Sequence, residues 1–253
     1  MFRWAVPLLA GLLTALVSCA PTASQVNAGP SLVVSSFSRG VAWAYGRNVY
    51  VLQGPRYELE KVTLPAPVSG LAWWNQDLYA SLPASNWVLR VQGVSDIRPL
   101  GRARALSANL VYLDTGDILT PAGVVTSYRV PGIIRSVTSV DQTDFVLSDT
   151  RLWKLSEGKA TLIRQTTDPY VYAVSGGVET ARVPTMQVQN KKYTLEGQTV
   201  RLTLTDGTPV KDWKMDQARE CNFGVVYDQV MLVCKDGFFQ RFDLELNAVG
   251  SLS

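Results

Sequence analysis

The chain contains no histidine. That absence removes Ser–His–Asp triads, imidazole metal ligands and imidazole proton shuttles from the possible chemistries. A surplus of one charge sign is missing as well. Lys and Arg number 24 against 21 Asp and Glu, and the formal net charge of +3 becomes +2 once Arg3 is removed with the leader described below. A nucleic-acid binder draws its affinity from a clustered basic surface, so nucleic acid is not an expected partner. The one small basic cluster, Arg102 and Arg104, reads as a solvated loop. Helical spacing is absent too: no long stretch combines a 3.6-residue period with a cap. Cysteine is scarce, at three residues. Nothing in the sequence implies a metal or a cofactor.

What is present begins at the N-terminus. Arg3 precedes Trp4 to Ser18, which carries no charge and is mostly apolar. This is the layout of a secretory leader. The stretch ends in Leu16-Val17-Ser18-Cys19, which resembles the bacterial lipobox: an aliphatic residue three before the cysteine and a small residue beside it. The resemblance implies a diacylglyceryl group on the Cys19 sulfur, cleavage before Cys19 and acylation of the new amine. A plain cleaved leader and an uncleaved membrane helix are the alternatives. The apolar run is shorter than the ~20 residues a spanning helix needs. Ala20 to Ser31 is uncharged and contains Pro, Ala and Ser, so it reads as a tether. The expected organisation is therefore a leader at 1–18, a lipidated Cys19 with its tether at 19–31, and one folded domain at 32–253. By analogy with enteric bacteria, Ala20 after the cysteine points to the outer membrane if the host has one.

With Cys19 consumed, Cys221 and Cys234 remain as a pair in an oxidising compartment. Cys221 to Val226 and Gln229 to Cys234 read as two strands around Tyr227-Asp228. A two-residue turn there makes Cys221 face Cys234 in a non-hydrogen-bonded pair, where side chains lie closest, and this suits a cross-strand disulfide. A four-residue loop on the same centre would reverse that parity, and two reduced core thiols are the alternative to the disulfide.

From Leu32 onward the hydrophobic period is two. Val41, Trp43 and Tyr45 alternate with Ala42 and Ala44, and Val200, Leu202 and Leu204 alternate with Arg201 and Thr203. Turn signals recur at Gly46-Arg47-Asn48, Asn75-Gln76-Asp77, Asp206-Gly207 and Asp236-Gly237. Short strands between frequent turns predict an all-β fold. A strand–turn–strand unit repeats at Val41–Val51, Leu71–Ala80, Leu110–Leu119, Val137–Leu147, Tyr172–Ala181 and Phe223–Val233. The spacing averages roughly 36 residues, near the length of a propeller blade. The repeat resembles extracytoplasmic β-propellers, including the lipoprotein scaffolds of outer-membrane assembly and the YVTN- and quinoprotein-like propellers. The expected fold is a β-propeller of about six irregular blades, with a β-sandwich as the alternative. Leu32–Phe37 is a spare strand, expected to close the ring by pairing into the last blade near Phe238 to Leu244.

Several short motifs touch on catalysis. Asp114-Thr115-Gly116 matches half of an aspartic-protease dyad, but no second copy exists, and a hairpin turn accounts for it. Ser156-Glu157-Gly158-Lys159 has Ser-x-x-Lys spacing, yet Gly158 lies between strand patterns rather than on a helix. Asp141, Asp144 and Asp149 lack the alternation and Gly turn of a Ca²⁺ loop. Trp73-Trp74 are strand neighbours pointing to opposite faces; they are either buried between two layers or exposed as ligand-contact aromatics. These observations predict a lipoprotein anchored in the cell envelope, acting as a binding or scaffolding module for a protein or glycan partner. The alternative is a propeller enzyme of lactonase or quinoprotein type, using carboxylates at the central channel. Carboxylates and Asn converging on that channel would favour the enzyme, and an apolar or arginine-lined rim would favour binding.

Overall fold

The computed structural model describes residues 31–54 and 57–250. The leader, Cys19 and all of the tether except Ser31 lie outside the described residues. The alternating apolar pattern folds into seven small antiparallel sheets. The first contains β1 (Val33–Phe37), β2 (Gly40–Tyr45), β3 (Asn48–Gln53) and β4 (Glu58–Thr63), and the second β5 (Gly70–Trp74), β6 (Asp77–Leu82), β7 (Trp87–Arg90) and β8 (Ser95–Arg98). The third is three-stranded: β9 (Ala103–Leu106), β10 (Val111–Leu113) and β11 (Ile118–Leu119). The fourth contains β12 (Ile134–Val140), β13 (Thr143–Ser148), β14 (Arg151–Ser156) and β15 (Lys159–Gln165). The fifth has only β16 (Tyr170–Val174) and β17 (Gly177–Ala181). The sixth contains β18 (Thr185–Val188), β19 (Lys191–Glu196), β20 (Thr199–Leu204) and β21 (Pro209–Lys214), and the seventh β22 (Cys221–Val226), β23 (Gln229–Cys234) and β24 (Phe239–Phe242).

Strands follow chain order within every sheet, and the first strand of each sheet is innermost. β1, β5, β9, β12, β16, β18 and β22 touch one another in that order, and β22 touches β1 again. Seven sheets around one axis form a propeller. The inner strands begin at Val33, Gly70, Ala103, Ile134, Tyr170, Thr185 and Cys221. Their steps are roughly 31 to 37 residues, apart from about 15 between Tyr170 and Thr185, where the fifth sheet lacks its outer strands. The chain therefore has one more blade than the six repeat units counted in the sequence. The blade not counted is the sixth.

The expected ring closure differs. β1 pairs with β2, with Val34 opposite Trp43 and Ser36 opposite Val41. It does not enter the seventh sheet. First and last sheets meet instead by packing. The Val225 amide donates to Ser36 Oγ at 3.1 Å, and the Tyr227 amide donates to the Ser38 carbonyl at 3.1 Å. Gly224 makes the approach possible: a Cβ there would lie 2.4 Å from Val41 Cγ2. The physical reason is hairpin economy. The two-residue turn Ser38-Arg39 brings β1 straight back onto β2, a far shorter closure than pairing across nearly the whole chain.

Apolar seams fill the spaces between sheets. Trp73 packs between the first and second sheets against Phe37, with the two rings tilted and their centroids 4.3 Å apart. Trp74 packs between the second and third, and its Nε1 donates to the Ser107 carbonyl at 2.9 Å. Further seams join the third sheet to the fourth, the sixth to the seventh and the seventh to the first. The two seams flanking the fifth sheet have no comparable cluster among the described residues. That blade is held by polar contacts: Thr138 Oγ1 donates to the Val171 carbonyl at 3.0 Å, and Thr166 and Thr180 hydroxyls meet at 3.4 Å.

Candidate functional site

Within a sheet, the start of the first strand lies beside the end of the second. Gly70 faces Ser81, Ile134 faces Ser148, and Cys221 faces Cys234. One face of the ring therefore collects the beginnings of all inner strands and the turns after the second strands. These segments surround a central channel of about 2040 Å³.

Six cations line its mouth: Arg102, Arg104, Arg135, Arg182, Arg219 and Lys235. Among the described residues three carboxylates do so, Asp114, Asp149 and Glu220, and each is engaged. Asp114 accepts from Arg102 Nε at 2.8 Å. Glu220 pairs with Lys235 across the β22–β23 end. Asp149 Oδ1 accepts the Ile133 amide at 3.1 Å. The cations are less fully matched. Arg182 reaches Asp168 only at 3.9 Å, with 89% of its side chain exposed. Arg135 Nη1 donates to the backbone carbonyl of Asp149 at 3.1 Å and has no carboxylate partner among the described residues. Arg104, exposed on β9, likewise has no carboxylate partner there. Arg219 is held by Asp236 and Asp216 and lies over Phe238, 4.4 Å from the ring centre. Deeper along the inner strands the channel lining turns uncharged, through Ser36, Ser139, Ala173, Gln187 and Val225. The result is a basic mouth on a neutral channel, which attracts anionic groups.

The residues singled out in the sequence fall as follows. Trp73 and Trp74 are buried, at 8% and 7% exposure, so neither presents a face to a ligand. Each fills the seam on its own side of β5. Cys221 and Cys234 form a disulfide on paired strands. The neighbouring Lys235 amide donates to the Glu220 carbonyl at 3.0 Å, which makes the cysteine pair a non-hydrogen-bonded one. Asp114-Thr115-Gly116 is the turn between β10 and β11, with Gly116 at φ 90°. Ser156 faces Lys159 across a two-residue turn, so the two never share a helical face. Asp141 and Asp149 sit in turns at opposite ends of β13. Among the described residues no group of three or more Cys, Asp or Glu is placed to hold a metal ion.

Asp144 has a different role. It is 1% exposed, and its Oδ2 accepts from Tyr112 OH at 2.5 Å and from Ser107 Oγ. Its Oδ1 accepts from Asn109 Nδ2 at 2.7 Å and Ser139 Oγ at 2.8 Å. All four donors are used, so this carboxylate clamps the third sheet to the fourth. Burial first, and then the Asp144 charge, push the Tyr112 hydroxyl far above its ordinary pKa. The sequence reading missed both the clamp and the basic mouth. The six cations are scattered from position 102 to 235 and converge only through the ring.

No family model and no curated protein sequence matches the chain. Among solved structures, the chain is similar to BamB from Moraxella catarrhalis: TM-score 0.52, 11% identity, covering 82% of this chain and 92% of that one. It also overlaps a chain of the mitotic checkpoint complex (TM-score 0.44, 11% identity, 83% of this chain and 74% of that one). A third overlap is with PorZ, described as a bacterial surface component of the type-IX secretion system of Porphyromonas gingivalis (TM-score 0.40, 13% identity, 85% and 33%). At these identities the BamB likeness shows the propeller fold and nothing more.

Proposed function

We propose that this chain is a lipid-anchored binding module of the bacterial cell envelope, fixed to a membrane through Cys19, whose propeller grips an acidic protein surface at its basic mouth. The observation that carries this reading is the charge of the channel. Six cations ring the mouth, while its three carboxylates are tied to Arg102, the Ile133 amide and Lys235. Arg104 and Arg135 are exposed and lack carboxylate partners among the described residues. They come from two different blades, so a partner touching both is held by a rigid frame. The lipobox-like Leu16-Val17-Ser18-Cys19 supports the envelope location.

The test is site-specific photo-crosslinking from Ile133 and Thr150, exposed residues that line the same mouth, in intact membranes. The expected result is one adduct with an envelope protein, lost when Arg104 and Arg135 are both changed to Glu. No adduct, together with turnover of a lactone or sugar by the purified protein, would replace binding with catalysis.

A further inference from the structure

The fifth blade ends at its second strand, and its outer edge is open. Ser175-Gly176 is a two-residue turn, and Val174 faces Gly177 across it. The closing pair of such a hairpin is hydrogen-bonded, so Tyr172–Glu179 and Tyr170–Ala181 are hydrogen-bonded too. Between them, Val178 and Thr180 turn their amides and carbonyls outward. None of those four backbone groups has a partner among the described residues. Elsewhere in the ring the same position is covered by a third strand.

The missing outer strands leave a cleft between the fourth and sixth blades, and its walls carry more cations than carboxylates. On the fourth blade, Leu152 is opposite Arg164 and Lys154 opposite Thr161, so Lys154, Thr161 and Arg164 share one face. That face is turned to the fifth blade, because Arg164 Nη2 donates to Thr180 Oγ1 at 3.2 Å. On the sixth blade, Tyr193, Leu195, Val200 and Leu202 are buried towards the seventh. The alternate residues therefore face the cleft: Lys192, Thr194, Glu196, Arg201 and Thr203, with Asp212 opposite Arg201, and both of these carboxylates pair with Arg201. Lys192 Nζ lies 5.6 Å from the centre of the Tyr172 ring, which places it over β16. Glu179 is already taken by Tyr172 OH, at 2.7 Å, and Asp168 by Thr180 Oγ1, at 2.8 Å. Lys154, Arg164 and Lys192 have no carboxylate partner among the described residues.

We infer that β17 is a docking edge for an extended acidic segment of a partner protein, added antiparallel or parallel as a third strand of the fifth blade. Backbone pairing with Val178 and Thr180 supplies the grip, and Lys154, Arg164 and Lys192 select acidic side chains. Edge pairing of this kind reads strand backbone first and charge second. This surface is separate from the channel mouth, so either site can fail without the other.

The test uses the purified protein and two peptides of alternating Val with Glu or Lys, plus a Glu peptide interrupted by Pro. The acidic peptide is expected to bind, and to slow hydrogen exchange at the Val178 and Thr180 amides. Val178→Pro removes one outward donor while sparing the pairs with β16, and should weaken binding about fivefold, as for one lost hydrogen bond. If that variant does not fold, Lys154→Glu with Arg164→Glu should weaken the acidic peptide and favour the basic one. Equal binding of all three peptides, no binding, or unchanged exchange at Val178 and Thr180 would overturn the inference. So would protection of those amides by self-association alone, seen in sedimentation at rising protein concentration, since the occupant would then be a second copy.

Discussion

A carboxylate without water around it must be held by donors, and Asp144 has four. Asp144→Ala leaves those donors buried and unpaired, and should cost about 3 kcal/mol in denaturant unfolding. Tyrosines give the matching pH dependence. Burial pushes the Tyr193 hydroxyl up to about 12, and burial also raises Tyr112 and Tyr172. An unfolded tyrosine titrates near ~10. A raised folded value means that the stabilisation is complete below about pH 10 and disappears as pH rises through the folded values. An alkaline titration followed by the tyrosinate absorbance should therefore show a delayed group of tyrosines that ionise together with loss of circular dichroism. Independent ionisation in the folded state would contradict the burial. At this scale the sequence was only partly readable. Trp73 and Trp74 show by strand parity that they point to opposite faces. Nothing local shows that Ser107 and Asp144, 37 positions apart, share a proton donor and acceptor.

Individual strands are where the sequence was most readable. The Cys221–Cys234 hairpin has the turn, register and parity that its residues predict. Closing that short loop should be worth about 3 kcal/mol, so the Cys221→Ser, Cys234→Ser protein should melt several degrees lower in calorimetry. The sixth blade was harder to see because only one of its faces is apolar. Tyr193, Leu195, Val200 and Leu202 face the seventh blade, whereas Lys192, Thr194, Arg201 and Thr203 face the gap beside the short fifth one. Such a pattern reads as isolated strands, not as a repeat unit. The two-stranded fifth blade, without an apolar seam on either side, should open most readily. Native-state hydrogen exchange should show β16 and β17 exchanging faster than β2, β6 and β23, and equal protection would mean that the blade is better supported than its contacts suggest.

At the scale of the whole ring, closure rests on a missing side chain. Gly224→Ala puts a methyl group against Val41 and should destabilise by about 1–3 kcal/mol. Adding Val41→Ala should recover part of that loss, and simple additivity in the double-mutant cycle would show that the two blades do not touch there. The sequence could not show this joint, because a glycine in a strand looks like weakness until its neighbour across the ring is known. β1 also fixes where the chain enters the disc. It starts at Val33, among the segments that form the arginine rim. With Cys19 acylated, the dozen residues between lipid and ring make a leash of about 40 Å at full stretch. The disc would then be tethered from the face that carries the cations, so that whatever the rim grips is held on the side of the ring nearest its anchor.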